Sequence, residues 1–419
     1  MHEASPPLTI LGLDDPADLP PSSLRLLAQA EVVAAPRRKL DELLAVRPEL
    51  TAELLPLDGP LTGWLTELEQ VSRRASTVVL ATGDPNYFGL AKRILEVVPP
   101  ERAAVVPAVT TVQKAFARLK VTWAGTEVQS LHGRGSWRDF WAALYRAGQP
   151  ASPGRLALYT DPTNSPNLVA ERLTARGQLG WRLHVFEDLG GSRENWWRGS
   201  LKEAARRTFS PLNLAVLERD GEIRPTLVGA PEASYAHEAG LITKSEVRCA
   251  ALGLLDLGGD ETFWDLGCGS GAVSVEAGRL LTHGELWAVD QSRARLDLAA
   301  ANRSRFGTAH LELVEGDALE VMDELPRPDR IFVGGGGARL REILSRARRR
   351  LAPGGTIVAS VVRLAALTEA LEELSSPGRP ASAVQLMAAR GHELAGSLWF
   401  KPQNQVWLVK GRAPGDDET

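Results

Sequence analysis

Trp264-Asp265-Leu266-Gly267-Cys268-Gly269-Ser270-Gly271 is the stretch on which the reading of this chain turns. It ends an apolar run of strand length, Thr262–Leu266, and opens a segment of helical period. Glycines at alternate positions let a backbone turn tightly and approach a ligand closely. The helix that follows supplies free N–H groups. The spacing is GxGxG rather than the GxGxxG of a dinucleotide site, and Asp265 stands just before it. A pyrophosphate would be repelled by that carboxylate, whereas an ammonium or a sulfonium suits it.

Further signals follow in order. Asp290 ends the next strand candidate, 23 positions after Gly267, about the spacing at which a carboxylate reaches ribose hydroxyls. Glu315-Gly316-Asp317-Ala318 follows the third strand, where a carboxylate can accept from an adenine amino group. Gly334 to Gly337 follow the fourth and leave bare backbone. Strand-end loops on one edge of a parallel sheet form the usual ligand crevice. Tight-turn glycines and solvated carboxylates would have to coincide four times in register to imitate this pattern. We read it as a site for S-adenosylmethionine, formed by Asp265, Gly267, Cys268, Gly269, Ser270, Gly271, Asp290, Asp317 and Ala318.

Seven strand candidates fill the second half: Thr262–Leu266, Glu285–Asp290, Leu311–Val314, Arg330–Gly334, Thr356–Val362, Ala383–Ala388 and Asn404–Lys410. Helical stretches fit between most of them, which predicts one doubly wound sheet. No helix fits between the last two, which predicts a hairpin and an antiparallel edge. In the first half the candidates are Leu8–Leu13, Thr77–Thr82, Ala103–Val106, Val128–His132, Arg155–Thr160, Arg182–Glu187 and Asn213–Glu218, with amphipathic stretches such as Ser22–Ala30 and Thr111–Leu119 between. Pro and Gly in Leu227–Tyr235 interrupt both periodicities. The expected domains are therefore 1–228 and 236–412, with a polar, frayed tail at Gly411–Thr419.

Composition excludes several classes. The 419 residues are 44% hydrophobic and 24% charged, as in ordinary globular proteins. A net charge of -4, from 48 basic and 52 acidic residues, lacks the basic excess of a duplex-binding protein, so no nucleic-acid partner is expected. Cys249 and Cys268 are the only cysteines, and the seven histidines show no metal-ligand spacing; no disulfide framework and no metal are expected. No secretory leader and no apolar stretch near the ~20 residues of a membrane helix is present, so the expectation is a cytoplasmic protein without membrane contact.

The second half resembles the class I methyltransferases, and within them the decarboxylating C15-methyltransferase module of cobalamin biosynthesis. The residues that carry this are Gly240 to Arg248, the Asp265–Gly271 loop, Val333 to Gly337 and Ala389-Arg390-Gly391. The resemblance implies that Thr243, with Gly267 to Gly271, touches the cofactor. Where that family favours Asn-Pro near its end, Asn404-Gln405 stands here.

The first half has its own motifs. Thr82-Gly83-Asp84-Pro85 is a turn in which a carboxylate is held at a strand end. Pro107 to Val112 leads from a strand into a helix with Thr as cap. An Asx turn and a plain N-cap account for each of these alone. With Asn86 to Gly89, Ser130-Leu131-His132-Gly133-Arg134 and Glu187 to Gly191, they resemble the tetrapyrrole (class III) methyltransferases. That implies a two-subdomain α/β fold with a second S-adenosylmethionine in its cleft, near Asp84, Thr110 and Thr111. Two segments depart from the family: its glycine-rich first loop reads Leu11-Gly12-Leu13-Asp14-Asp15, and a later arginine pair appears as Ala35-Pro36-Arg37-Arg38.

The expected fold is thus a class III methylase fold followed by a class I Rossmann-like seven-stranded domain, an order resembling the fused C5,15-methyltransferases that act on precorrins. The resemblance implies a carboxylate-rich reduced tetrapyrrole as substrate, methylation at C5 and C15, loss of the ring C acetate carboxyl, one cofactor site per module, and a homo-oligomer. No catalytic residue is singled out. Arg37, Arg38, Arg134, Lys244 and Arg248 are candidates to meet substrate carboxylates. Arg346 and Arg348 to Arg350 are expected to complement a helix dipole and face water. His237 and Glu246 are candidates to move a proton, and Trp123, Trp196 and Trp197, expected in loops, to stack on a macrocycle. The alternatives are a class I methyltransferase acting on RNA and a non-catalytic corrinoid-binding protein with a degenerate first half.

Overall fold

Continuous apolar runs become strands covered on both faces. Leu8–Leu13 (β1) is buried at all six positions, as a central parallel strand between helices must be. In the computed structural model, which describes residues 8–13, 15–133, 135–221, 227–238, 240–376, 378–394 and 396–414, it lies in an all-parallel sheet. Its companions are Val32–Pro36 (β2), Glu53–Leu57 (β3), Thr77–Thr82 (β4) and Ala103–Val106 (β5), in the order β3-β2-β4-β1-β5. Alternation sorts the side chains: Leu8 and Ile10 join one apolar cluster, Leu11 and Leu13 the other.

A second sheet holds Glu127–Ser130 (β6), Arg155–Tyr159 (β7), Trp181–Glu187 (β8), Asn195–Ser200 (β9) and Asn213–Arg219 (β10), in the order β6-β7-β10-β8-β9. Only the β6–β7 pairing is parallel. Three of these strands were not expected. β2 runs straight into a helix, β3 carries a proline at the sheet edge, and β9 is a largely solvated edge strand. Trp196 and Trp197 lie on β9, not in a loop. Trp196 stacks on Phe186 at 5.4 Å, and Trp197 packs edge-on against Phe209. Trp123 does lie in a loop and is exposed.

The third sheet contains Thr262–Leu266 (β11), Glu285–Asp290 (β12), Leu311–Glu315 (β13), Arg330–Val333 (β14), Thr356–Val361 (β15) and Ser382–Leu386 (β16). An inserted hairpin, Ala389–Leu394 (β17) and Ser397–Pro402 (β18), precedes its last strand, Val406–Arg412 (β19). The order is β13-β12-β11-β14-β15-β19-β16, with β19 antiparallel to both neighbours. Both the seven strands and the antiparallel edge match the sequence reading; the hairpin between the last two strands does not appear in it. The strand order reverses at β11, where β12 and β14 flank it. That is the switch point at which a doubly wound sheet opens a crevice. Trp264 and Leu266 pack on one face with Ile331 and Val333, and Phe263 on the other with Leu286 and Phe332. No described helix is long and apolar enough to cross a membrane.

Several contacts tie the halves, among them Arg138 with Glu285, Arg146 with the Thr282 carbonyl and Ser304 with the Gly177 carbonyl. Arg176, from the helix Pro166–Ala175, bonds the Ala309 carbonyl at 2.8 Å and pairs with Glu312. The Tyr145 and His310 rings meet at 4.3 Å with a 39° tilt, and burial pushes the His310 imidazole down to about 4, so it is neutral at pH 7. The segment between the halves is pinned from within the third layer. Arg248 and Glu276, both 0% exposed, pair at 2.8 Å. Arg248 also donates to the carbonyls of Ala230 and Thr243, and Glu276 accepts from Tyr235 Oη and the Gly229 N–H, each at 2.9 Å. Arg248 is therefore closed off from any substrate, which corrects its place among the carboxylate-binding candidates.

A buried charge left without its partner costs about 3–5 kcal/mol, whereas replacing both partners by apolar residues of like volume is often close to neutral. Glu276→Leu is expected to destabilise the chain by about that amount, and Arg248→Met with Glu276→Leu by clearly less. Urea unfolding checks this; equal losses would contradict the buried pair.

Candidate functional site

The glycine loop after β11 has a geometry only glycine takes easily. Gly267, Gly269 and Gly271 all have positive φ, at 76°, 56° and 72°. A Cβ on Gly267 would lie 3.3 Å from the Gly335 nitrogen and one on Gly334 3.1 Å from the Gly267 carbonyl oxygen, so this loop and the glycine run after β14 approach closely at that point. Gly271 caps the helix Ala272–Leu280. The Gly269 N–H donates to Asp290 Oδ2 at 2.9 Å, and the Ser292 N–H donates to Asp290 Oδ1 at 2.9 Å. The carboxylate is thus fixed by two backbone donors, with lone pairs left on both oxygens.

These loops enclose a cavity of about 360 Å³ at the carboxyl edge of β11, β12, β13 and β14. Gly267, Asp290, Asp317, Ala318 and Gly334 to Gly337 line it. Asp317 caps the short helix Ala318–Val321 through the Leu319 N–H at 2.9 Å and pairs with Arg339. Gln291, Arg295, Arg339 and Ile343 also line the cavity and were not singled out from the sequence. Gln291 had a signal, since it directly follows Asp290; the two arginines look like any helix-surface charge.

The other expected site residues lie behind the lining. Asp265 is buried beneath the loop and accepts from Ser274 Oγ, while its Oδ1 has no partner. Burial pushes its carboxyl up to about 7. Cys268 donates its N–H to the Val289 carbonyl, and burial holds its thiol well above the ordinary range, hence un-ionised. The Ser270 carbonyl accepts from Asn302 Nδ2 at 2.8 Å. Thr243 does not line the cavity; its carbonyl is held by Arg248. Lys244 caps the helix Ser245–Leu255 and is half-buried.

A nucleoside with a cationic arm fits this chemistry. One oriented carboxylate faces the cavity for a diol, a second stands beside bare backbone, and a buried carboxyl with one unpartnered oxygen lies under the loop.

In the first half, the motifs converge at the carboxyl edge of the first sheet. A Cβ on Gly12 would lie 2.4 Å from the Gly83 carbonyl oxygen and 2.7 Å from the Ala108 nitrogen, so β1 passes directly beneath both loops. A Cβ on Gly83 would lie 3.3 Å from the Thr110 Cα. Asp84 Oδ1 accepts from the Asn86 N–H at 2.9 Å. Thr110 forms a capping box with Gln113 at the start of the helix Thr111–Leu119. Tyr159, at the end of β7, packs against the apolar cluster that contains Val112 of this helix, which joins this edge to the second sheet. Leu13, in the segment that departs from the resembled family's glycine-rich loop, is buried. Asp14 and Arg134 lie outside the described residues.

Other candidates are occupied elsewhere. Glu246 and Glu232 share Arg390, which holds both carboxyls down to about 2; Glu246 carries no proton to give near neutrality. His237 is half-buried and its ring bonds the Glu238 carbonyl. Arg37 and Arg38 are exposed and pair with Asp58 and Glu42. Arg346 pairs with Asp323. Arg348 and Arg350 do not simply face water: they hold the carbonyls of Glu373, Ser375 and Leu325.

Comparison with known proteins agrees with this two-part layout. Residues 11–205 match the Tetrapyrrole (Corrin/Porphyrin) Methylases family, and residues 233–410 the Precorrin methyltransferase domain family. Precorrin-6Y C(5,15)-methyltransferase (decarboxylating) of Sinorhizobium sp is 31% identical over 418 residues, spanning 96% of this chain and 95% of that protein. A probable cobalt-precorrin-6B C(15)-methyltransferase (decarboxylating) of Pyrobaculum aerophilum is 36% identical over 188 residues, spanning 44% of this chain and 96% of that protein. The crystal structure of precorrin-6y C5,15-methyltransferase from Geobacter metallireducens GS-15 is 36% identical, covers 44% of this chain and 97% of that one, and gives a TM-score of 0.42. The chain belongs to the precorrin-6Y C(5,15)-methyltransferase (decarboxylating) family of S-adenosylmethionine-dependent methyltransferases.

Proposed function

We propose that this chain methylates one precorrin twice, at C5 through residues 1–228 and at C15 through residues 236–412, and removes the ring C acetate carboxyl at the second site. Each half seats its own S-adenosylmethionine. The observation that carries this reading is the crevice of about 360 Å³ in which Asp290 is held by the backbone of the glycine loop. The cofactor supplies an electrophilic methyl group on a positively charged sulfur. Asp290 accepts from the ribose hydroxyls, and Asp317 and Ala318 border the adenine. Asp265, with its unpartnered oxygen, faces the cationic arm across the loop. Gly334 to Gly337 leave the backbone bare where the macrocycle approaches. In the first half Asp84, Thr110 and Thr111 surround the second cofactor.

A reduced macrocycle is electron-rich at its bridging carbons, so the chain contributes alignment and exclusion of water rather than a strong base. Loss of CO₂ leaves an electron pair that the conjugated ring takes up, and a proton then completes the methyl group on ring C. The exposed apolar residues Leu398, Trp399 and Phe400 on the β17–β18 hairpin support a homo-oligomer. We place the chain in the cytoplasm with the metabolite pool that such a substrate requires.

Mass spectrometry of the product from precorrin-6B should show two methyl gains and one CO₂ loss; one methyl gain alone would contradict a working first half. Calorimetry of the full chain should give two equivalents of S-adenosylhomocysteine. Asp290→Ala should weaken one of them roughly 10- to 100-fold, the worth of a charge-assisted hydrogen bond, and leave the other unchanged. Two unchanged affinities would rule out the ribose role.

A cationic ligand favours ionised Asp265, whose protonation falls away as pH rises through about 7. Affinity at the second site should therefore rise between pH 6 and pH 8 and level off above. Asp265→Asn should flatten that rise, and a rise of equal size in the variant would refute the assignment.

A further inference from the structure

The Asp84 turn presents an aromatic ring for which the fold itself has no use. Gly83-Asp84-Pro85 closes tightly: the Tyr87 N–H donates to the Asp84 carbonyl at 3.0 Å, and the Ala91 N–H to the Pro85 carbonyl at 3.1 Å. Between these bonds Phe88 has φ 53°, the left-handed conformation that a bulky residue avoids. Glycine would take it freely. Burial does not compensate, because Phe88 is 54% exposed. Its ring meets Tyr87 edge-on at 5.2 Å and Tyr159 at 5.6 Å with a 46° tilt. Tyr159 and Tyr87 themselves pack against the apolar cluster of Val112, Phe116 and Phe186. The Phe88 ring therefore stands where the carboxyl ends of β4 and β7 meet, at the end of the Asp84 turn, supported by two phenols and open to solvent.

We propose that Phe88 is a specificity-determining residue of the first half, the ring on which a flat, conjugated macrocycle stacks for methylation. The proposal rests on the C5-methyltransferase reading given above. Backbone strain kept at an exposed position is the mark of a residue retained for a ligand rather than for the fold. An offset or tilted aromatic face suits a macrocycle, which presents a broad π-surface and little else that a protein can grip at its centre. Trp196, which the sequence also offered for this role, has Phe186 and His184 stacked alongside it on the second sheet.

The test uses the full chain with precorrin-6B, because C15 methylation in the same molecule is an internal control. Phe88→Ala should raise the KM of the C5 step roughly tenfold, the range of a lost aromatic contact, and leave the C15 step and both equivalents of S-adenosylhomocysteine intact. Phe88→Trp should restore most of the C5 KM. Phe88→Gly should lose the C5 KM like Phe88→Ala yet melt at a higher temperature than Phe88→Ala, because the backbone strain is relieved. An unchanged C5 KM in Phe88→Ala overturns the proposal, and so does loss of one cofactor equivalent, which would make the ring part of the cofactor site. A wild-type chain that adds no methyl at C5 overturns the reading of the first half itself, and the proposal with it.

Discussion

The hydrogen bond from the Gly269 N–H to the Asp290 carboxylate joins the two strands on which the second half is organised. It forms only because the loop after β11 takes left-handed conformations at alternate residues. That winding turns a backbone donor toward the end of β12 and leaves the inner wall of the crevice without side chains. The facing glycine run after β14 comes close from the other side, where Gly267 and Gly334 leave little space for a Cβ on each other.

The first half reaches a comparable result with different means. Its close approach is between β1 at Gly12 and the loops after β4 and β5. Its polar groups are a turn carboxylate and a capped helix start rather than a glycine loop. Tyr159, at the end of β7, packs with Val112 of the helix that follows β5. Arg176, Tyr145 and His310 then hold this half against the other, and the buried Arg248–Glu276 pair fixes the segment that connects them.

Much of this was legible in the sequence, for physical reasons. Buried parallel strands read as continuous apolar runs, so β1, β11, β12, β14 and β15 stand out. The glycine loop and Asp290 are marked by spacing, which sequence preserves. Edge strands such as β3 and β9 carry no such run, and the β17–β18 hairpin packs through one arginine, Arg390, rather than through an apolar face. Charges were the least legible feature. Arg248 and Arg37 look alike in sequence, yet one is sealed in a core with Glu276 and the other is exposed beside Asp58. Burial is decided by what packs on top, and nothing within a few residues of an arginine records it. Phe88 was quoted within a motif for its neighbours; its own role emerges only from its backbone angle and exposure together.

The most direct measurement is a crystal structure of the full chain with S-adenosylhomocysteine. The account predicts the nucleoside in the crevice at the carboxyl edge of β11 to β14, with the ribose hydroxyls on Asp290, the adenine beside Asp317 and Ala318, and the sulfur near Gly334 to Gly337. A ligand bound elsewhere, or one whose ribose leaves Asp290 untouched, would contradict it.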